Sequence, residues 1–143
     1  MYNVEYNPEK MARACKRNVP ISHKFAREIG KEIKGKKLEK AKRYLEEVIE
    51  MKRPVPITRY NSDLAHKPGV GPGRYPVNTA KEILDLLNSV EKNAQNKGLD
   101  VKNLYIVSFL VMKGSKFFRP RRRDMAGQRR KNTHISVVVE ERK

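Results

Sequence analysis

The chain is poor in cysteine and in long apolar runs. Cys15 is the single cysteine among 143 residues, so an intrachain disulfide and a cysteine-based zinc site are both excluded. This usage fits a reducing cytosol, and we expect Cys15 to be a packed side chain rather than a catalytic thiol. No apolar run approaches the roughly 18 residues of a membrane span, and the N-terminal MYNVEYNPEK lacks the apolar stretch of a signal peptide. We therefore expect a cytoplasmic protein with no membrane insertion.

Acidic residues are also scarce. The chain has 33 Lys and Arg against 16 Asp and Glu, a net charge of +17, and 38% hydrophobic residues. Such a charge repels itself unless a polyanion neutralises it, and nucleic acids and anionic membranes are the usual polyanions. A membrane-surface protein would need a basic amphipathic helix or a lipidation signal, and we find neither. The composition favours a single nucleic-acid-binding domain over residues 1–143 with a small core.

Signs of an enzyme are lacking as well. The three histidines lie far apart in the sequence, and no acidic cluster has metal-ligand spacing. The GVGPG segment at 69–73 lacks the Gly-Lys-Ser/Thr ending of a phosphate-binding loop, and Pro72 removes a backbone donor that such a loop needs. We expect no catalysis, no metal and no cofactor.

Three segments have the apolar spacing of helices. Ser22 to Ile33 predicts a first helix, with Ser22 as its N-cap. LEKAKRYLEEVIEMK, residues 38–52, predicts a second helix that ends before Pro54. A third helix is predicted from Thr79 to Gly98, with Thr79 and Glu82 spaced as a capping box.

Two β-branched and aromatic runs, residues 104–112 and 133–140, predict strands, and a further short strand is expected over residues 12–19. Helices and strands therefore segregate along the chain. This pattern predicts an α+β fold, with three helices packed on a small antiparallel sheet.

Residues 53–78 contain five prolines and three glycines and show no period, which predicts a long ordered loop without a strand or helix. A loop of this length in a small domain usually has a function or a partner. Its basic and aromatic side chains, among them Arg59, Tyr60, Arg74 and Tyr75, are suited to lying on RNA. The alternative, that the tyrosines pack on the domain, stays open.

The segment between the two strong strands is the most basic part of the chain. FFRPRRRDMAGQRRKNTH, residues 117–134, holds six arginines around one acid, Asp124. If the strands continue to pair, they form a long protruding β-hairpin over residues 104–140, projecting about 30 Å, with its tip at about 121–130. An isolated two-stranded hairpin is marginal in water, so the arm needs a surrounding anionic partner. A disordered basic segment is the alternative, but the flanking strand sequences favour a hairpin ordered by its partner.

Several segments resemble the large-subunit ribosomal protein twenty-two family, in the branch shared by archaea and eukaryotes. ISHKFAREIGKEIKGK and LEKAKRYLEEVI are similar to the family's first two helices, and VPITRYN with GRYP to the insertion of that branch. NAQNKGLDVKNLYI and HISVVVEE resemble the end of its third helix and its last strand. The resemblance runs from about Ala12 to Glu141.

The resemblance implies a structural constituent of the ribosome rather than an enzyme. It implies large-subunit rRNA, other ribosomal proteins and the nascent polypeptide as partners, and a hairpin that forms part of the exit-tunnel wall. By position, the residues facing the tunnel would be Met125, Ala126, Gly127 and Gln128. The family commonly has Pro-Arg-Ala-x-Gly-Arg at this tip, whereas here Pro120 and Arg121 are followed by RRDMAGQ.

The residues expected to contact RNA are cations and one aromatic at helix starts and turns, in the 53–78 loop and along the hairpin. They are Arg17, His23, Lys24, Lys36, Lys37, Arg59, Tyr60, Arg74, Arg119, Arg121, Arg122, Arg123, Arg129, Arg130 and Lys131. An autonomous basic nucleic-acid-binding regulator is the competing hypothesis. It would need a recognisable reader module, and we find no helix-turn-helix spacing, zinc ligands or aromatic RNA-binding motif.

Overall fold

The computed structural model describes residues 2–59, 61–118 and 127–142. Its larger elements are three helices and three long strands, and its smaller ones are a 3-10 turn at Val101–Asn103 and five short strands. In chain order the named elements are β1 (Met11–Val19), α1 (His23–Ile33), α2 (Leu38–Ile49), β2 (Val55–Pro56), β3 (His66–Lys67), β4 (Gly71–Arg74), α3 (Val77–Asn96), β5 (Leu104–Lys113), β6 (Phe117–Phe118), β7 (Arg129–Arg130) and β8 (Thr133–Glu141).

The central sheet is antiparallel, with the strand order β1-β8-β5. The central strand, β8, places Val139 opposite Ala12 on one side and Ile106 on the other. These three side chains are fully buried in the core. The α+β fold class and the predicted strand at 12–19 are confirmed.

The three helices cover one face of this sheet. α1 packs on β5, α3 packs on β1, and α2 packs against α3. The approach of α1 to the sheet is close, because a Cβ added at Gly30 would lie 2.4 Å from Cδ1 of Phe109. The helices and the sheet therefore meet at atomic contact, as in a well-packed core.

The N-terminal segment lies against the opposite face of the sheet. Ser108 Oγ donates a hydrogen bond of 2.8 Å to Asn3 Oδ1, and the Arg13 guanidinium lies 4.4 Å from the centroid of the Tyr6 ring. Val138, on the central strand, is only 2% exposed. Cys15 of β1 is exposed, so the expectation of a packed cysteine is wrong.

Two predictions about the ends of helices are wrong. α3 begins at Val77 with Pro76 as its N-cap and has no side-chain cap, so the predicted capping box of Thr79 and Glu82 is wrong. Thr79 is buried, and Glu82 instead pairs with Lys16 of β1, 2.9 Å away. α2 ends at Ile49, three residues before the predicted end, and the positive φ of 58° at Met51 carries the chain out of the helix.

The segment 53–78 is not free of strands, which corrects the prediction of an irregular loop. β2, β4 and β3 form a small three-stranded sheet in the order β2-β4-β3, with Val55 opposite Arg74 and His66 opposite Pro72. Pro72 takes part as an acceptor, since its carbonyl receives the Ile57 N–H at 2.9 Å. Strands of two to four residues are too short to produce a period in the sequence.

Candidate nucleic-acid interface

A basic pocket opens where the start of α1, the 53–78 segment and the base of the hairpin meet. It encloses about 830 Å³. Seven lysines and arginines line it, together with His23: Lys24, Arg27, Arg59, Arg74, Lys113, Lys116 and Lys131. The lining holds two acids, Glu28 and Asp63, so the pocket carries a large positive excess.

Most of these cations make no ion pair with a carboxylate of the described residues. Within the described ranges, no Asp or Glu lies at ion-pair distance from Arg27, Arg59, Arg74, Lys113, Lys116 or Lys131. All six are exposed. Exposed guanidinium and ammonium groups that converge on one concave surface suit a ligand with several phosphates.

Glu28 stabilises the structure of the pocket and does not add to its positive charge. Its carboxylate is almost fully buried and accepts hydrogen bonds from Thr58 Oγ1 at 2.7 Å and from Thr58 N at 3.2 Å. Lys31 Nζ lies 3.3 Å away. Burial alone would raise the pKa of Glu28, but the bonds from Thr58 and Lys31 outweigh it and hold this pKa below its ordinary value. Glu28 thus fixes the 53–78 segment to α1 and sets Arg59, the next residue after Thr58, at the pocket.

Asn18 fixes the other side of the pocket, where the hairpin leaves the sheet. Its backbone N–H donates to Nδ1 of His134 at 3.0 Å, and its side-chain Oδ1 accepts the Ser115 N–H at 3.0 Å. Asn18 has a φ of 54°, in the left-handed region that asparagine tolerates better than most residues. At Gly114 a Cβ would lie 2.8 Å from Asn18 Oδ1, so glycine is what allows this close approach.

The described part of the hairpin beyond the sheet consists of residues 114–118 and 127–132, which we call the hairpin arm. β5 and β8 pair up to Lys113 opposite Thr133, and β6 and β7 continue the antiparallel pairing with Phe118 opposite Arg129. Gly127 has a φ of 80° and, like Gln128, is exposed. The protruding hairpin over 104–140, with its tip at 121–130, stays a prediction because residues 119–126 lie outside the described part of the chain.

The pocket and the arm hold seven of the predicted RNA contacts. The pocket contains His23, Lys24, Arg59, Arg74 and Lys131, and the arm adds Arg129 and Arg130. Arg17 is exposed on β1 but does not line the pocket. Five predicted contacts and two predicted tip residues lie outside the described residues: Tyr60, Arg119, Arg121, Arg122, Arg123, Met125 and Ala126.

Lys36 and Lys37 lie at the far end of the sheet from the pocket. Lys37 Nζ is 5.5 Å from the ring centroid of Tyr105, near the start of β5, whereas Lys113 at the end of β5 lines the pocket. Lys36 Nζ is 5.3 Å from the Tyr44 ring and 3.7 Å from Glu32. Burial raises the pKa of Tyr44 to about 12, so the phenol beside Lys36 stays neutral. The structure does not bring these two lysines together with the other predicted contacts.

Three pocket cations were missed by the sequence analysis: Arg27, Lys113 and Lys116. Arg27 stands four residues after His23 on α1, so helical spacing alone could have placed the two on one face. Lys113 and Lys116 follow a strand whose end was predicted at Met112, and nothing in their local sequence indicates the pocket. Asn18 was missed too, because its role depends on residues about a hundred positions away.

The acidic side chains lie mainly on the helical side of the molecule. Lys42 of α2 pairs with Glu91 of α3 at 2.6 Å, and Lys16 pairs with both Glu82 and Asp85 of α3.

Across the described ranges, no three His, Cys, Asp or Glu side chains are arranged to hold a metal ion. Among the same residues, no helix is long and apolar enough to cross a membrane.

Comparison with known proteins gives consistent matches over almost the whole chain. Residues 14–140 match the family model described as ribosomal protein L22p/L17e. The chain is 50% identical over 116 residues to the large ribosomal subunit protein uL22 of Thermofilum pendens, covering 80% of this chain and 77% of that protein. It is 46% identical over 146 residues to the uL22 of Ignicoccus hospitalis, covering 96% and 92% of the two chains. For the uL22 of Methanocaldococcus jannaschii the identity is 44% over 146 residues, covering 98% and 94%.

Proposed function

Because this chain belongs to the ribosomal protein L22p/L17e family, we propose that it is a structural constituent of the large ribosomal subunit. Its partners are large-subunit rRNA and other ribosomal proteins, and it works in the ribosome without catalysis. The observation that carries the RNA contact is the basic pocket, with its seven lysines and arginines against two acids. The competing regulator hypothesis has no observation in its favour.

The mechanism is charge neutralisation combined with positioning. The pocket cations replace the counterions condensed on RNA phosphates, and the released ions supply much of the binding free energy. Arginine suits this role because its planar fork donates two hydrogen bonds to one phosphate. Since Glu28 and Asn18 hold opposite walls of the pocket, the bound phosphates take fixed positions relative to the hairpin arm.

The remaining predicted contacts form the finer part of the proposal. The arginines at 119, 121, 122 and 123 bind rRNA along the outer hairpin, and Arg17, Lys36, Lys37 and Tyr60 contact rRNA elsewhere on the domain. The tip, Met125, Ala126, Gly127 and Gln128, faces the nascent polypeptide in the exit tunnel. Two observations support this part of the proposal. They are the family membership and the strong positive charge of residues 117–134.

Removing two pocket arginines tests the RNA interface. We expect Arg59→Ala with Arg74→Ala to weaken binding to a large-subunit rRNA fragment. The slope of log affinity against log salt should also become shallower, by roughly one to two units, because two phosphate contacts are lost. Filter binding over a series of salt concentrations measures both quantities.

Lys40→Ala with Arg43→Ala is the matched control, since both residues are exposed on α2, away from the pocket. The control should leave the slope close to that of the unaltered chain. Equal slopes for the two double variants would contradict the assignment of the pocket.

A further inference from the structure

Two large apolar side chains are exposed to solvent at consecutive positions of the hairpin arm. Phe117 is 53% exposed and Phe118 is 65% exposed. Within the described residues, the one other large hydrophobic residue exposed to this degree is Met51, in the turn after α2. Adjacent exposed aromatics on a projecting element favour a partner that covers them.

The two rings belong to opposite faces of the arm. Phe117 and Phe118 are consecutive residues of β6, and successive side chains of a strand point to opposite faces. Phe117 lies opposite Arg130 and Phe118 opposite Arg129 in the pairing with β7. The Arg129 guanidinium is 5.7 Å from the centroid of the Phe118 ring. Each face of the arm therefore presents one phenyl ring and one arginine.

The charge around the rings identifies the chemistry of the partner. The segments 113–118 and 127–131 contain no acid, and they carry Lys113, Lys116, Arg129, Arg130 and Lys131. A polyanion must lie against such an arm, and nucleobases are the flat apolar surfaces that an RNA offers. Bases inside a double helix are stacked on each other, so the available ones are unpaired.

We propose that Phe117 and Phe118 stack on unpaired RNA bases, one on each face of the hairpin arm. This inference rests on the proposed function and adds a second mode of contact to it. The basic pocket binds phosphates, whereas the arm inserts its two rings among bases. RNA must then lie on both sides of the arm, and the arm passes between RNA strands instead of resting on one of them.

Tryptophan reporters test each face separately, because the chain contains no tryptophan. The variants are Phe117→Trp and Phe118→Trp, with Met51→Trp as the control at an exposed apolar site outside the arm. The probe is single-stranded oligoadenylate, compared with an RNA duplex of equal length. We expect the single strand to quench both arm reporters and to leave the control bright, and the duplex to quench the arm reporters much less.

Alanine variants give the affinity. Phe117→Ala and Phe118→Ala should each weaken binding of the single strand by about fivefold or more, while Met51→Ala leaves it unchanged. Both rings are exposed, so neither change removes core contacts, and circular dichroism checks that each variant is folded.

The outcomes separate the two proposals. If the filter assay shows tight RNA binding while both reporters stay unquenched, the stacking inference is overturned and the proposed function is not. This result would indicate that a protein covers the rings. Quenching of one reporter only would overturn the two-sided arrangement. Failure of the unaltered chain to bind either rRNA or the oligonucleotide would instead contradict the proposed function.

Discussion

At the scale of single residues, Glu28 shows how a buried charge can organise a basic surface. The carboxylate lines the pocket and accepts hydrogen bonds from the backbone N–H and the hydroxyl of Thr58. It neutralises little of the surrounding charge, because its cationic partner among the described residues is Lys31. Buried carboxylates persist where several donors satisfy them. Glu28 therefore holds the segment that places Arg59 at the basic pocket.

Replacing Glu28 gives a prediction with a defined pH dependence. Glu28→Gln should lower the free energy of unfolding at neutral pH by about 1 to 3 kcal/mol, because a charged acceptor of Thr58 and Lys31 is lost. The folded-state pKa of Glu28 lies below its ordinary value of 4.5, so its contribution is complete above that value and is lost as the pH falls through the folded-state pKa. The difference between variant and unaltered chain should therefore shrink below about pH 4.5.

Urea unfolding at several pH values measures this difference. Glu39→Gln is the control, since Glu39 is 79% exposed and pairs with Arg43 at 3.7 Å. A deficit for Glu28→Gln that stays constant from neutral to acidic pH would contradict the assigned role.

Asn18 leads to a second prediction. Asn18→Ala should destabilise the protein by about 2 kcal/mol, since alanine is disfavoured at a positive φ and the Ser115 N–H loses its acceptor. Asn18→Asp keeps an acceptor oxygen and should recover most of the loss. Thermal unfolding of the two variants distinguishes them, and equal stability would contradict the account of Asn18.

The candidate phosphate-binding residues could be named from the sequence as cations, but which of them lie together was only partly predictable. Charge alone marks Arg59, Arg74 and Lys131 as candidates, and the pocket contains all three. Composition does not tell which cations face each other, so Lys36 and Lys37 were grouped with residues near the other end of β5. Convergence depends on long-range contacts such as that of Asn18 with His134, which no local pattern encodes.

At the scale of elements, long segments followed their sequence patterns and short ones did not. The three helices were predicted from their apolar periods, and β5 and β8 from runs of β-branched and aromatic residues, because each of these elements extends over nine or more residues. β2, β3 and β4 were missed because two to four residues establish no period. The start of α3 was misplaced for a different reason: Thr79 is used in the core and Glu82 in the pair with Lys16, so the local capping signal lost to tertiary contacts.

The contact of α1 with β5 gives a prediction that opposes helix propensity. Alanine is favoured over glycine in a helix by about 1 kcal/mol, yet a Cβ at Gly30 would lie 2.4 Å from the rigid ring of Phe109. Gly30→Ala should therefore destabilise the protein by about 1 to 3 kcal/mol. Adding Phe109→Leu should recover part of the loss, and a double-mutant cycle from urea unfolding measures the coupling. Additive effects of the two changes would contradict the close contact.

At the scale of the whole molecule, the charge is distributed unevenly between two regions. Much of the acid lies on α2 and α3, where it pairs with Lys42 and Lys16. The other region comprises the basic pocket and the hairpin arm, whose cations have few acidic neighbours among the described residues. The helical side is close to self-neutralised, so the net charge of +17 acts mainly through the pocket and the arm.

We infer that this chain is an integral, rRNA-bound part of the large ribosomal subunit. Sucrose-gradient sedimentation of a cell lysate at moderate and then at high salt, with the chain detected in each fraction, tests the claim most directly. We expect stoichiometric recovery with the large subunit, maintained through salt that removes loosely bound basic proteins. Recovery in the light fractions alone would contradict it.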